Sequence, residues 1–282
     1  MKITATIYFL FLAVSVFAYS NSIEETVPEV SIQGTEIQIP EQNIDKTVEI
    51  IINNVLISKM YTRYVSPFTS NEWNESDTLF CLGKGHHEFQ LPILAKTTEG
   101  SLFVLDQARV GGKLNSLTVI KETNSIEAIK DFRKWKRYDL LKLPAFRFSG
   151  INFVTLPDSS ILVSGTPYDN LKHIFSIIDY KKQKVTPLKF WPDDGVKCGY
   201  IVKHSVYTDN SRLYGNSNGR FLYQCDWSRY AFIFSIDGKN VNVIKELFSE
   251  YPNYTSDKLG WNFEFTKETM ATEILNSATN NE

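Results

Sequence analysis

The chain has 282 residues, of which 30 are Lys or Arg and 32 are Asp or Glu, so its formal net charge at pH 7 is −2. A charge this close to zero gives no electrostatic basis for binding nucleic acid or an anionic membrane surface, and it disfavours both functions. The 19 Phe, 14 Tyr and 5 Trp residues are typical of chains rich in β-strands.

Residues 1–20 have the pattern of a secretory signal peptide. Lys2 supplies positive charge, residues 3–17 form an apolar run, and Ala18 and Ser20 place small side chains before the predicted cleavage site. The apolar run is shorter than the roughly 20 residues that a membrane-spanning helix needs. We therefore expect cleavage and export to the periplasm or the extracellular space, with no membrane span afterwards. An uncleaved N-terminal anchor is the alternative.

The mature chain is expected to begin with a disordered leader at residues 21–29, which are polar and acidic. Residues 30–39 alternate between apolar and polar side chains, which predicts a strand. The main domain is predicted to cover residues 30–270. Residues 271–282 lack a strand pattern and are expected to form a flexible C-terminal tail.

The connection that follows residue 80 is the most informative part of the chain. Gly83 and Gly85 predict a tight turn between two strands, because glycine adopts backbone conformations that other residues avoid. Phe89 is expected to return the chain to the apolar core. A hairpin turn at Gly100 and a buried strand at residues 102–105 are predicted next.

A repeated pattern of hairpins follows. Three hairpins begin at Leu117, Ile174 and Phe232, which are 57 and 58 residues apart. Each one follows another β-rich run, at residues 102–105, 161–164 and 220–224. A fixed period of this length is typical of architectures built from equivalent units that stack and bury each other's faces.

The repeat predicts four antiparallel units of four strands each, at residues 48–82, 91–132, 146–190 and 200–248, with a fragment from Trp261. Within the second unit, residues 125–141 also fit a basic amphipathic helix. The alignment of the three hairpins favours a strand at residues 126–132 instead.

Three segments carry a family resemblance: Gly83-Lys-Gly-His-His-Glu-Phe89, residues 156–165, and Gly199-Tyr-Ile-Val-Lys-His204 with residues 211–215. With these motifs, residues 48–254 resemble the TolB-like and NHL-like six-bladed β-propellers of exported bacterial proteins. The resemblance implies an all-β propeller of four-stranded antiparallel blades. Here about four clear blades and a remnant are found, so an incomplete ring or a shortened member is expected.

Two further motifs, a histidine pair and a basic run, could indicate a binding site. His86 and His87 stand where the family has a more flexible run, and with Glu88 they resemble a metal-binding cluster. Adjacent residues on a turn point apart, so a polar connection between blades is the favoured interpretation. The run at residues 130–137 mixes basic and aromatic side chains, but in a slightly acidic chain we interpret it as a solvated outer strand.

Four aspartates, Asp106, Asp179, Asp226 and Asp237, lie at strand ends or turns. Some six-bladed propellers hold calcium with such residues in a central channel, whereas Asp at a strand end is mostly a turn former. No cofactor is predicted apart from this alternative of calcium.

Three cysteines remain to be assigned. Cys198 and Cys225 either form a disulfide or stay as free thiols together with Cys81.

The sequence has no Gly-x-Ser-x-Gly elbow, Walker loop or dinucleotide fingerprint. It therefore predicts a non-catalytic binding module for a protein, peptide or glycan, held on one face of the propeller. The alternative is a calcium-dependent hydrolase of the lactonase type. The predicted contacts are aromatic loop residues: Trp73, Trp135, Tyr168, Trp191, Trp227 and Tyr230.

Overall fold

The structure is a computed structural model that describes residues 47–52, 55–60, 63–69, 72–81, 83, 85, 87–97, 100–108, 111–147, 153–158, 160–208, 211–215, 218–225, 228–247, 254–257 and 262–265. The predicted signal peptide, leader, first strand and C-terminal tail lie outside the described residues. No helix in the described part is long and apolar enough to cross a membrane.

The first two sheets each contain four antiparallel strands in chain order. Sheet 1 consists of β1 (Thr47–Ile52), β2 (Val55–Met60), β3 (Arg63–Thr69) and β4 (Glu72–Phe80). Sheet 2 consists of β5 (Pro92–Lys96), β6 (Leu102–Gln107), β7 (Leu114–Ile120) and β8 (Lys136–Asp139), with the helix α1 (Ile126–Lys130) between β7 and β8.

The next part of the chain forms sheet 3 and a short ribbon. Its strands are β9 (Phe146–Arg147), β10 (Phe153–Leu156), β11 (Ser160–Ser164), β12 (Thr166–Pro167), β13 (Phe175–Asp179) and β14 (Lys184–Leu188). Sheet 3 has the order β10-β11-β13-β14, and β9 pairs with β12 beside it. The predicted hairpin beginning at Ile174 is therefore confirmed as β13–β14.

Sheet 4 follows the second helix, α2 (Tyr200–Thr208). Its strands are β15 (Ser211–Gly215), β16 (Arg220–Cys225), β17 (Tyr230–Asp237) and β18 (Asn240–Glu246), again antiparallel and in chain order. A separate two-stranded ribbon, β19 (Tyr254–Ser256) with β20 (Phe263–Phe265), comes last. The prediction that the fourth unit begins at residue 200 is wrong, because that segment is helical and the sheet begins at Ser211.

The predicted strand at residues 126–132 is also wrong. The Ser125 side chain accepts a hydrogen bond from the Ala128 N–H at 3.1 Å, which caps the first turn of α1. Ile126 and Ile129 are one helical turn apart and both are buried against sheet 1. A 3₁₀ turn at Phe132–Lys134 follows, and the outer strand of sheet 2 is β8 instead.

Side chains alternate in direction along each strand, so successive residues of a strand pack into different hydrophobic cores. In β6, Leu102 and Val104 pack against sheet 1, whereas Phe103 and Leu105 pack against sheet 3. All six residues of β6 are buried, as expected for a strand covered on both faces.

Each pair of consecutive sheets shares such a core, and the first strands β1, β5, β10 and β15 touch in chain order. The four sheets are therefore stacked face to face in sequence.

Hydrogen bonds between sheets show that their connections share one surface. The Phe146 N–H donates to the carbonyl of Gly112 in the β6–β7 turn at 2.8 Å. Phe146 also pairs with Pro167, which lies in the connection between β11 and β13 of sheet 3. The Ser211 hydroxyl at the start of sheet 4 donates to the Ser164 hydroxyl at 3.2 Å. We call this surface the loop face: the described residues of 83–91, 107–113, 140–147, 165–174 and 189–208.

Candidate functional site: a polar cavity on the loop face

A cavity of about 500 Å³ opens at the edge of sheet 2. It lies where β6 ends, β7 begins and β8 ends, beside the connection that enters β5. Its walls are formed by glycines, polar side chains and one leucine: Gly83, Gly85, Glu88, Gln90, Asp106, Asn115, Ser116, Arg137, Asp139 and Leu141.

Asp106 is the most buried carboxylate of the cavity, with its side chain 2% exposed. Its Oδ1 accepts hydrogen bonds from the backbone N–H groups of Gln90 at 2.7 Å and Leu91 at 3.0 Å. Its Oδ2 accepts from the Asn115 side chain at 3.0 Å. A carboxylate held by three donors has one fixed orientation, so Asp106 ties the entry of β5 to the β6–β7 edge.

Arg137 crosses the wall of the cavity with its side chain 28% exposed. Its Nε donates to the Ser116 hydroxyl at 2.9 Å and its Nη2 donates to the Glu88 carbonyl at 3.3 Å. Nη2 also lies 3.9 Å from Asp106, and the guanidinium sits 5.2 Å from the centre of the Phe89 ring. The guanidinium is thus held in place while part of it still faces solvent.

The glycine-rich turn is shaped by Glu88. The Gly85 N–H donates to Glu88 Oε2 at 2.6 Å, and the Phe89 N–H donates to the Cys81 carbonyl at 3.0 Å. Phe89 is fully buried. Neither Gly83 nor Gly85 adopts a left-handed φ. The turn therefore uses Gly83 for space: a Cβ there would lie 1.9 Å from Glu88 Oε2.

The outer rim of the cavity comes from the end of sheet 2. Asp139 Oδ1 accepts a hydrogen bond from the Leu141 N–H at 2.8 Å. This contact turns the chain so that the Leu141 side chain, 58% exposed, stands at the mouth. The rim thus adds one exposed apolar side chain to walls that are otherwise polar.

A second cluster on the loop face is buried beneath α2. The fully buried Asp194 carboxylate accepts hydrogen bonds from Lys203 Nζ at 2.6 Å, Tyr254 OH at 2.6 Å and Tyr207 OH at 2.8 Å. The Val196 N–H donates to it at 3.0 Å. Burial opposes ionisation of this carboxyl, but the bonds from Lys203 and the two tyrosines outweigh burial and lower its pKa.

His204 lies beside this cluster and is fully buried. Burial lowers the pKa of His204 to about 4, and the nearby charge of Arg147 acts in the same direction. The Trp191 ring lies 5.4 Å from the imidazole and 5.5 Å from Lys203 Nζ. These residues hold α2 and the connection before it against sheets 3 and 4.

The structure separates the aromatic residues predicted as ligand contacts. Tyr168 is 49% exposed on the loop face, and Trp191 is half-buried there against α2. Trp73 belongs to β4, but its side chain lies outside the described residues, as does all of Trp227.

Trp135 and Tyr230 belong to the packing of the sheets. Trp135 Nε1 donates to the Ile129 carbonyl at 2.7 Å, and its ring lies 5.8 Å from that of Phe89. Tyr230 is 3% exposed, and its hydroxyl donates to Glu246 at 2.8 Å. These contacts fix both side chains within the packing of the sheets.

The histidine and basic motifs are also accounted for by local contacts. His87 stacks on Phe132 with the ring centres 4.1 Å apart, while His86 lies outside the described residues. The basic run forms α1, a 3₁₀ turn and β8 rather than one outer strand. Within it, Arg133 pairs with Asp131 and Lys134 pairs with Glu122.

Of the aspartates considered as calcium ligands, Asp106 and Asp179 are held by backbone N–H groups. Asp106 binds backbone N–H groups as above, and Asp179 accepts from the Lys182 N–H at 2.9 Å. Asp237 is exposed at the end of β17, and Asp226 lies outside the description. Among the described residues, no three His, Cys, Asp or Glu side chains are grouped to hold a metal ion.

All three cysteines are free thiols, so the disulfide between Cys198 and Cys225 is not formed. Cys225 is buried, and its thiol donates to the Val206 carbonyl at 3.0 Å. Burial raises the pKa of the half-buried Cys198 thiol.

Sequence reasoning missed Arg137, Asn115 and Asp139 as cavity residues, and Asp194, Lys203, Tyr207 and Tyr254 as a cluster. Lys203 and Tyr207 are four residues apart, so recognising α2 as a helix would have placed them on one face. Nothing in the sequence pairs Arg137 with Glu88, which lies 49 residues earlier.

No family model matches the chain, and no curated protein matches it. The TolB-like or NHL-like resemblance therefore stays a prediction.

Several solved structures are similar at low identity. An exported protein from Bacteroides fragilis is 13% identical with a TM-score of 0.46, over 74% of this chain and 53% of that one. An auxiliary nutrient binding protein from Bacteroides thetaiotaomicron is 12% identical with a TM-score of 0.42, over 73% and 42%. The NanB sialidase from Streptococcus pneumoniae is 12% identical with a TM-score of 0.39, over 71% and 29%. The chain thus spans about half or less of each of these structures.

Proposed function

We propose that this chain is an exported, non-catalytic β-propeller module of the TolB-like type that binds a protein, peptide or glycan on its loop face. The observation that carries the proposal is the distribution of exposed apolar side chains. Eight large hydrophobic side chains are exposed among the described residues, and five of them lie on the loop face: Leu91, Leu141, Tyr168, Tyr200 and Ile201. Apolar groups concentrated on one surface, beside a polar cavity, are typical of an interaction site.

The propeller part of the proposal is supported by a repeated relationship between sheets. The connection leaving sheet 1 contacts the β7–β8 connection of sheet 2, through His87 and Phe132. Lys189, which directly follows the last strand of sheet 3, contacts the β17–β18 turn of sheet 4: its N–H donates to the Lys239 carbonyl at 2.6 Å. The same relative placement in two pairs of sheets is what radial stacking of twisted blades requires.

Export rests on the sequence of residues 1–20, and the absence of catalysis rests on the lack of a catalytic motif in the sequence. Asp106 and Asp179 already bind backbone N–H groups, and no observation in the described residues favours the calcium-dependent hydrolase. In a scaffold of stacked sheets, variation in the connections changes the ligand without disturbing the core.

The test is a screen of the full chain against immobilised glycans and peptides, followed by two matched double variants. Leu141→Asp/Ile201→Asp adds two carboxylates to the loop face, and Val243→Asp/Ile244→Asp adds two to the outer strand β18. Leu141 and Ile201 are 58% and 57% exposed, and Val243 and Ile244 are 39% and 51% exposed.

We expect the loop-face variant to weaken binding of any ligand found by about tenfold or more, which corresponds to about 1.4 kcal/mol. The β18 variant should bind as the original chain does. Loss of binding in the β18 variant alone would contradict the proposal, and so would conversion of the bound ligand into a product during the incubation.

A further inference from the structure

The cavity of sheet 2 has a composition that selects among ligand classes. Three residues with carboxylates, Glu88, Asp106 and Asp139, line the cavity together with a single guanidinium, that of Arg137. The lining is therefore net negative, and a phosphate, a sulfate or an acidic sugar would be repelled from it. Charge excludes anionic ligands and leaves neutral and cationic ones.

Hydrogen-bonding capacity distinguishes these two. The guanidinium of Arg137 and the amide of Asn115 are donors, and they lie beside the carboxylate acceptors in one wall. An ammonium or guanidinium ligand can only donate hydrogen bonds, so it could not accept one from Arg137 or Asn115. A hydroxyl group donates and accepts, so adjacent hydroxyls can bridge a carboxylate oxygen and an arginine N–H together.

The polar groups of the cavity are also held in fixed positions. Asp106 accepts three hydrogen bonds, Glu88 binds the Gly85 N–H, and Asp139 binds the Leu141 N–H. Arg137 is held between Ser116 and the Glu88 carbonyl. A site whose groups are already oriented loses little conformational entropy on binding, which suits a weakly hydrophobic ligand.

An apolar border completes the match. Leu141, which is 58% exposed, belongs to the lining, and Leu91, which is 44% exposed, directly follows the lining residue Gln90. A sugar ring has C–H groups on its faces as well as hydroxyls at its edge, so it can contact both kinds of surface at once. The volume of about 500 Å³ lies within the range of small-ligand sites.

From this arrangement we propose that the cavity lined by Glu88, Asp106, Asn115, Arg137 and Asp139 binds a neutral carbohydrate through its hydroxyl groups. The inference rests on the proposed function, of which it specifies the site and the ligand class.

Calorimetric titration of the full chain tests it with three kinds of probe. The neutral probes are cellobiose, maltose, lactose and xylobiose, the anionic probe is N-acetylneuraminic acid, and the cationic probe is tetralysine. We expect heat of binding with at least one neutral disaccharide. Because the ligand carries no charge, its affinity should change less than about twofold between about 0.1 M and about 1 M salt.

Two cavity variants and a matched control complete the experiment. Arg137→Lys keeps the charge but removes the planar guanidinium, and Asp139→Asn removes one carboxylate. Each variant should bind the disaccharide about tenfold or more weakly. Arg220→Lys makes the same change in an exposed residue at the start of β16, on the edge away from the loop face, and should not alter binding. Unchanged unfolding temperatures would show that the cavity variants remain folded.

Binding of tetralysine without any neutral sugar would overturn the inference while leaving a peptide-binding function standing. Full affinity for a disaccharide in both cavity variants would also overturn it, because the sugar would then bind elsewhere on the surface. Absence of heat with every probe would overturn it as well, and the screen with the two double variants would still decide the broader function.

Discussion

The carboxylate of Glu88 occupies the position that a Cβ atom on Gly83 would need, with 1.9 Å between Oε2 and that atom. The same oxygen accepts a hydrogen bond from the Gly85 N–H at 2.6 Å. Gly83 thus makes room for the Glu88 carboxylate, and its own φ does not call for glycine.

This relationship makes the effects of two substitutions depend on each other. Gly83→Ala should lower the free energy of unfolding by about 1 kcal/mol, because the Glu88 side chain must swing away and lose its hydrogen bond. In a Glu88→Ala background the same change should cost almost nothing. Urea unfolding of the two single variants and the double variant measures this, and additive effects would contradict it.

Breaking the buried ion pair of Asp194 and Lys203 should lower the free energy of unfolding more than the Gly83 substitution does. Asp194→Asn leaves the Lys203 ammonium, whose side chain is 8% exposed, without its carboxylate, and should cost about 3–5 kcal/mol. Asp194→Leu with Lys203→Met should cost less than Asp194→Asn alone, because no charge then stays buried. Denaturant midpoints test the ordering. Asp237→Asn, at an exposed position, should be neutral; a similar loss there would point to a general charge effect.

The buried His204 predicts how stability depends on pH. Its pKa falls from 6.5 to about 4 on folding, so the unfolded chain binds a proton more tightly than the folded chain. Stability should therefore fall as the pH drops from about 6.5 to about 4, by up to about 3 kcal/mol, and this contribution should not change further below that range. His173, whose pKa burial also lowers, adds in the same direction.

The measurement is the unfolding free energy of His204→Gln as a function of pH. The slope between pH 6.5 and pH 4 should become shallower than in the original chain, whatever the absolute stability of the variant. Val243→Ala, at an exposed position without a titratable group, provides the control and should leave the slope unchanged. Equal slopes in all three proteins would rule out His204 as the source.

The cap of α1 distinguishes a helix from the strand that the repeat had favoured. Ser125→Ala should destabilise the protein by about 0.5–2 kcal/mol through loss of the bond to the Ala128 N–H, whereas Ser125→Asp should retain the stability. Thermal unfolding followed by circular dichroism would show the difference. Equal stability of the alanine and aspartate variants would argue against a capped helix at this position.

Several features were determined by local sequence alone. The strands β6, β11 and β16 and the hairpins β13–β14 and β17–β18 were predicted, because apolar alternation and turn residues act over a few neighbouring positions. The repeat of four antiparallel units followed from the same signals. A strand was wrongly predicted at residues 126–132 because the alignment of the repeats was given more weight than the local sequence. Locally, Ser125, Ile126 and Ile129 form the pattern of a capped helix.

Tertiary structure alone decided the site. Glu88, Asp106 and Arg137 meet because the edge of one sheet brings the ends of β6 and β8 beside the connection that enters β5. Tyr254 reaches Asp194 across 60 residues for the same kind of reason. Such contacts depend on how whole sheets stack. The hydrophobic pattern that drives stacking does not specify which polar side chains will meet at the edges of the sheets.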